Sequence, residues 1–491
     1  MGTSAVPANT LTPGSYGQFD DSGALSSSPD KPKHRVLFGH KLSGGTASAN
    51  ELHEIAGKTD GDLLFDANSH LAAMCFAFKD ANPNVKVSAM AVAEIASGGV
   101  AATGLLVFTG PATEDGIIAL YLGGQLVEVT VLTGDTAAEI ATATVAAIAA
   151  ASRMIVTSEV GGTGDEHKVT ITFRHKGVIG NFFMLEYSRL REEVDAFPAG
   201  VTLTITAMAS GAGAPQIAAA IAALPEEDYD GLCIGFVDDT SLDLFEAEAV
   251  RRYGTMIQLD SVVFAGHRGN YGAASSYGNA RNCELSTVVE VELSPTPPWI
   301  AAADYCAVHA TENDPARPLN GLVLPHVVAP LVGVRLKREE RNLLLLAGLT
   351  TTKVIPGDRV VIERALTTYR KDGSNIFDPK FLDLTTPTTL SYLRWSWNQR
   401  MTSKFPRHKI GNDGDRLEPG QPIVTPLIAR GETLVWAEEM VFKGLIEDFE
   451  YFKTNLIVRR STSDVSAMEF LLPPDLVNGL HVLKPVFVWR L

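Results

Sequence analysis

A chain of 491 residues, 45% hydrophobic and 20% charged, is too long for one hydrophobic core and too apolar for general disorder, so about three folded domains are expected. Its net charge of −16 repels phosphate and argues against nonspecific nucleic-acid binding. The four cysteines, Cys75, Cys233, Cys283 and Cys306, stand far apart without metal-ligand spacing, which points to buried free thiols in a reducing cytoplasm.

Residues 1–33 are rich in Pro, Gly, Ser and Thr, with Tyr16 and Phe19 as the only aromatics, and read as an arm that cannot fold alone. They lack the basic and apolar regions of a secretion signal, and no stretch approaches the ~18 consecutive apolar residues of a membrane span, so a protein without a membrane anchor is expected. From residue 34 to 97 an α/β domain begins: RVLFG reads as a strand, residues 63–83 as one helix ended by Pro83, and KVSAMAV (86–92) as the next strand.

Residues 98–213, rich in Gly, Ala and Thr, read as an inserted β-rich α+β module, outermost and folding independently. Gly123 and Gly124 join two alternating runs in the manner of a tight hairpin, and Thr136 with Glu139 forms a capping-box pattern ahead of an Ala-rich helix. Strand-like runs follow around 155–160 and 168–173.

From 214 to 385 helices alternate with the strands LCIGFV (232–237), SVVFA (261–265) and STVVEVEL (286–293), which implies a doubly wound parallel sheet. Residues 386–491 read as a C-terminal α+β domain, with a helix-like stretch, Pro- and Gly-rich loops (405–426), a helix through about Lys443 and a terminal strand. In that strand, HVLKPVFVWRL (481–491), alternation puts Leu483, Phe487, Trp489 and Leu491 on one side. The fold class is therefore α/β and α+β, multidomain.

Candidate chemistry is sparse. An open parallel sheet binds ligands at the carboxyl ends of its strands, where Asp238, Asp239, His267 and Arg268 fall; a soluble α/β hydrolase is the reading this rim offers, against ordinary solvated loops. GHRGNYG (266–272) lacks the dinucleotide spacing, and no phosphate loop, GxSxG elbow or HExxH helix occurs. NDGD (412–415) lacks the distal ligands of a calcium loop.

Between Asp383 and Asp413 there is no acidic residue, whereas Arg394, Arg400, Lys404, Arg407 and Lys409 all fall there. This is either a solvated face or a surface for an acidic partner. Leu390, Leu393, Trp397 and Met401 recur at helical spacing and read as core, which favours a protein partner over single-stranded nucleic acid.

Several motifs in register resemble the tail sheath proteins of Mu-like contractile phages: PGSYGQFD (13–20), SHLAAM (69–74), ANPNVKV (81–87), TGLLVFTG (103–110), RHKGVIGN (174–181), DPARPLNG (314–321), RNLLLLAGLTT (341–351), VIERALTTYRKD (361–372) and LLPPDLVNGLHVL (471–483). The resemblance implies a structural subunit without active site or cofactor. Such a subunit polymerises as stacked hexameric rings around a tail tube, meets baseplate and tail terminator proteins, and contracts to drive the tube through the host envelope for genome ejection. It implies a place in the virion tail after synthesis in the bacterial cytoplasm, with no direct nucleic-acid contact; a phage-tail-like bacteriocin or another contractile injection device is the alternative. On this reading 386–491 is the polymerisation domain. Pro13, Gly14, Tyr16 and Phe19 of one arm and Leu483, Phe487, Trp489 and Leu491 of the other act between subunits, and the basic stretch Arg394 to Lys409 faces the tube.

Overall fold

The computed structural model describes residues 30–95, 98–189, 196–414 and 420–490. Two compact units contain them: Pro32–Ser391 together with the segment from Asn478 onward, and Tyr392–Val477 together with residues 30–31.

The larger unit opens with β1 (His34–His40), buried along its whole length, then β2 (Leu52–Ile55), α1 (Asp60–Phe65), α2 (His70–Ala81) and β3 (Lys86–Val92). The single helix expected over 63–83 is in fact two. Asp66 takes a left-handed φ of 76°, its carboxylate accepts from the Asn68 N–H at 3.0 Å, and Ser69 Oγ caps α2 by accepting from the Ala72 N–H at 3.1 Å. Local side-chain bonds of this kind compete with helix propagation.

The segment 98–213 contains β4 (Ala101–Thr109), β5 (Gly116–Leu122), β6 (Gln125–Val131), α3 (Ala137–Ala150), β7 (Val156–Val160), β8 (Lys168–Lys176), β9 (Leu185–Tyr187) and β10 (Thr202–Ala209). Gly123 and Gly124 turn the β5–β6 hairpin at φ 59° and 84°, and Thr136 and Glu139 form the expected capping box. Its strands make two antiparallel sheets, β10-β4-β8-β7 and β6-β5-β9, and among the described residues none pairs with the main sheet. Its core is nevertheless not its own. Ile118, Val129, Ile171 and Phe173 belong to the same hydrophobic cluster as Leu71, Phe78 and Trp299. Arg153 binds both carboxylate oxygens of Asp62 and lies 4.1 Å over the Phe76 ring. The module is separate in strand pairing but continuous in packing and in side-chain bonds, which departs from the expectation that it folds independently.

The chain then returns through α4 (Ile217–Ala223), β11 (Gly231–Ile234), α5 (Asp239–Tyr253), β12 (Val262–His267), α6 (Tyr271–Asn279), β13 (Ser286–Glu290), α7 (Pro298–Thr311), β14 (Val323–Val328), α8 (Arg338–Leu346), β15 (Thr350–Ile355) and β16 (Arg359–Arg364). Nine strands join in the order β14-β16-β15-β13-β12-β11-β1-β3-β2. The six from β15 to β3 are parallel, as a doubly wound sheet requires; β2 and β16 run against them. Alternation along β1 sends Leu37 to one face, with α2 and α7, and Val36 and Phe38 to the other, with α4, α5 and α8. Strand order reverses between β1 and β11, the switch point of the fold.

Helix α9 (Thr385–Lys404) crosses the boundary between units. The smaller unit continues with β17 (Lys409–Ile410), β18 (Ile423–Val424), α10 (Pro426–Phe442), β19 (Ile446–Glu447), α11 (Phe449–Asn455), β20 (Ile457–Arg460), β21 (Met468–Leu471) and β22 (Asp475–Leu476). Trp436 anchors its core, fully buried and donating from Nε1 to Ser396 Oγ at 3.0 Å. The terminal strand expected over 481–491 is not formed within the chain: residues 478–490 have no regular structure. A strand without a partner edge has no ladder bonds to offset the entropy of ordering it.

Candidate functional site

Two surfaces follow from the sequence, the chain ends and the basic stretch. Pro13, Gly14, Tyr16, Phe19 and Leu491 lie outside the described residues. Leu483, Phe487 and Trp489 are 77%, 86% and 76% exposed, so within their own chain these side chains find no apolar cover. Side chains so exposed are not part of their own chain's hydrophobic core.

Both arms are rooted on the loop that follows α7. Lys33 Nζ donates to the Ala310 carbonyl at 2.9 Å, to the Glu312 carbonyl and to Asn313 Oδ1 at 3.1 Å, where the carbonyl end of the helix favours a cation. At the other arm His481 Nδ1 accepts from Asn320 Nδ2 at 3.1 Å. Its Nε2 lies 3.4 Å from Asp383 Oδ1, a carboxylate that Arg364 holds through two bonds of 2.9 Å. Burial lowers the pKa of the His481 imidazole and Arg364 opposes its charge further, against the pull of Asp383.

The basic stretch divides. Arg400 on α9 is bound within its own unit, Nε to Glu432 Oε1 and Nη1 to Glu439 Oε1, each at 2.6 Å. Glu432 and Glu439 lie seven residues apart on α10, so one face of that helix presents both carboxylates. Burial works against the Arg400 charge, but these two bonds and charges raise its pKa above the ordinary value. Lys404 is 3.6 Å from Glu432 yet largely exposed. Arg407, at φ 57° in the loop after α9, and Lys409 on β17, 3.4 Å from Gln421 Oε1, are exposed too, whereas Arg394 is half-buried. The interleaved aromatics pack inward: Tyr392 accepts from Lys443 Nζ at 2.7 Å, and Trp397 meets Phe470 edge-on at 4.9 Å. Replacing Arg400 with Glu would crowd three carboxylates together. It is expected to destabilise the chain by about 2–4 kcal/mol, read as a lower unfolding midpoint, whatever its effect on partners.

The strand-end rim is engaged structurally. Asp238 caps α5 by accepting from the Ser241 N–H at 2.9 Å, Asp239 and Asp243 pair with Arg281, and Arg268 donates to the Ser294 carbonyl at 2.6 Å. His267 is buried against Tyr277 at 4.4 Å and bonds through Nδ1 to Glu290. Each group already has a scaffold role. All four cysteines are buried thiols. Among the described residues no helix is long and apolar enough to cross a membrane, and no cluster of three or more His, Cys, Asp or Glu is arranged to hold a metal.

Residues 210–368 match the family model for the phage tail sheath protein central domain, and residues 377–487 match that for the phage tail sheath C-terminal domain. The Mu-like prophage FluMu tail sheath protein of Haemophilus influenzae is 35% identical over 479 residues, which cover 97% of each chain. Among solved structures, the sheath tail protein of Desulfitobacterium hafniense is similar at 14% identity and a TM-score of 0.49, covering 95% of this chain and 97% of that one. A chain of the anti-feeding prophage helical sheath in its contracted state is similar at 12% identity and a TM-score of 0.48, covering 98% and 100%.

Proposed function

Because this chain belongs to the phage tail sheath family, we propose that it polymerises as stacked hexameric rings around a tail tube and contracts to drive that tube through a host envelope. The observation that carries this reading is the 35% identity to a Mu-like prophage tail sheath protein across 97% of both chains. The family is a structural one, and the strand-end rim bound up in capping and ion pairs fits that better than a hydrolase does.

Such a subunit works by packing. The sequence has no phosphate loop, so the free energy is stored in a metastable lattice and released once. A preference of a few kcal/mol per subunit for the contracted lattice, repeated along the polymer, makes the change all-or-none. The uncovered apolar side chains of 482–490 support their use as a strand added to a neighbour's sheet edge, where ladder bonds and side-chain pockets come together. The exposed cations Lys404, Arg407 and Lys409 support a face toward an acidic tube, with baseplate and tail terminator at the two ends of the polymer.

Co-assembly with the tail tube protein tests this. The parent is expected to coat tubes, and Lys404→Glu, Arg407→Glu and Lys409→Glu combined are expected to abolish coating at physiological salt while empty sheath still forms. Such contacts act over about 8–10 Å and weaken further as salt rises. A triple variant that coats as well as the parent removes the tube-facing assignment; a parent that never coats tubes removes the function.

A further inference from the structure

Three histidines remote in sequence meet in the crevice at the switch point. His70 opens α2 with its ring between the carboxyl ends of β1 and β11. Two glycines leave it room: a Cβ on Gly39 would come within 3.1 Å of its Nδ1, and one on Gly235 within 2.4 Å of its Nε2. His40 ends β1, and His175 lies on β8 of the inserted module. All three are at most 1% exposed, sealed by Phe236, Phe173 and Trp299.

Their bonds fix their charge state. The His40 N–H donates to His70 Nδ1 at 3.1 Å, and the His70 N–H donates to His175 Nε2 at 3.0 Å. A ring nitrogen that accepts carries no proton, so both rings are neutral and His175 donates from Nδ1 to Glu94 Oε1 at 2.6 Å. Protonating either acceptor sets two donors against each other and breaks the bond. The His70–His175 bond joins the inserted module directly to the start of α2.

We infer that His40, His70 and His175 form an acid-sensitive latch that fastens the module 98–213 to the α/β sheet. The charged and titratable groups facing the rings are Glu94 after β3, Asp238 after β11, and the rings themselves. Glu94 and Asp238 favour protonation of His40, while burial and the neighbouring rings oppose it at both His40 and His70, and the positive amino end of α2 opposes it at His70. Burial wins: it takes His40 down to about 4 and His70 well below its usual value. The sign follows. With the folded values of His40 and His70 depressed, the latch is intact above the ordinary imidazole value of about 6.5, and it weakens as pH falls from there toward 4, because these two rings, once opened, take up protons that they refuse when closed. Each ring so released multiplies the opening constant by about tenfold per pH unit.

Hydrogen exchange on the full chain, corrected for the intrinsic pH dependence of amide exchange, tests the latch. Between pH 6.5 and 5, exchange in β8 and the first turn of α2 is expected to accelerate by at least about tenfold per pH unit, with α10 unchanged. His70→Asn keeps an acceptor for the His40 N–H without a titrating ring and is expected to lose about one proton's worth of that steepness. Uniform acceleration across both units, no acceleration, or an unchanged slope in the variant overturns the inference. Carbon-13 labelling at histidine Cε1 of the parent chain decides the matter without a variant: the His40 and His70 rings are expected to titrate only as the segment opens, and their titration near 6.5 with exchange unchanged overturns it.

Discussion

Removal of residues 482–491, leaving the His481 root in place, is expected to abolish polymerisation and leave the melting of the unassembled chain where it was. Phe487 and Trp489 are 86% and 76% exposed, so deleting them opens no cavity in their own unit. Ordering these ten residues costs about 10–20 kcal/mol of backbone entropy, and each apolar side chain buried returns only about 1.5–3 kcal/mol, which is why the segment makes no strand alone. On a neighbour's edge the ladder bonds are added, and the net contact is expected to be worth about 4 kcal/mol or more per subunit. Its loss raises the concentration needed for assembly by about a thousandfold. Sedimentation and thermal unfolding on the same samples separate the alternatives. If the segment instead packs on its own subunit, losing two buried aromatics costs several kcal/mol and the unassembled chain melts well below the parent.

Trp299→Ala is expected to cost about 3–5 kcal/mol, among the largest effects of any single substitution. The indole is 1% exposed and meets His70 edge-on at 5.1 Å and Phe173 at 5.8 Å, so it touches both the sheet's helix layer and the inserted module. Hydrogen exchange is expected to rise on both sides of that contact, in β8 and in α2, and to stay unchanged in α10. An effect confined to one side would show that the two cores are separate. The same packing bears on deletion of 98–213. Its ends are adjacent, with Val100 bridged to Ala212, so a short linker fits, but the cut removes Arg153 from over Phe76 and Phe173 from against Trp299 and is expected to destabilise what remains.

How far the sequence reveals this fold depends on the distance between interacting residues. The Gly123–Gly124 turn and the Thr136 capping box are local signals and form in the structure, and the periodic runs RVLFG, 86–92, 232–237 and 261–265 correspond to the parallel strands β1, β3, β11 and β12, with β11 ending at Ile234, three residues short of its run. Helix α7 has no amphipathic stripe because nearly every side chain from Pro298 to Ala310 is buried, so its sequence carries no helical period. The break at Asp66 to Ser69 lies in a turn-forming cluster, DANS, but the apolar runs on either side mask it in the sequence. Arg400 looked free for a partner because its carboxylates lie on another helix, and sequence spacing gives no sign of that pairing. The histidine latch was invisible for the same reason, since its rings stand at 40, 70 and 175 and only the fold brings them together.

Electron microscopy of the purified full chain, concentrated without nucleotide or metal, tests the sheath assignment most directly. The expected result is hollow tubes of contracted type, in which residues 482–490 lie on the sheet edge of a neighbouring subunit. A chain that stays monomeric at high concentration across salt and pH, with those residues still exposed, would contradict it.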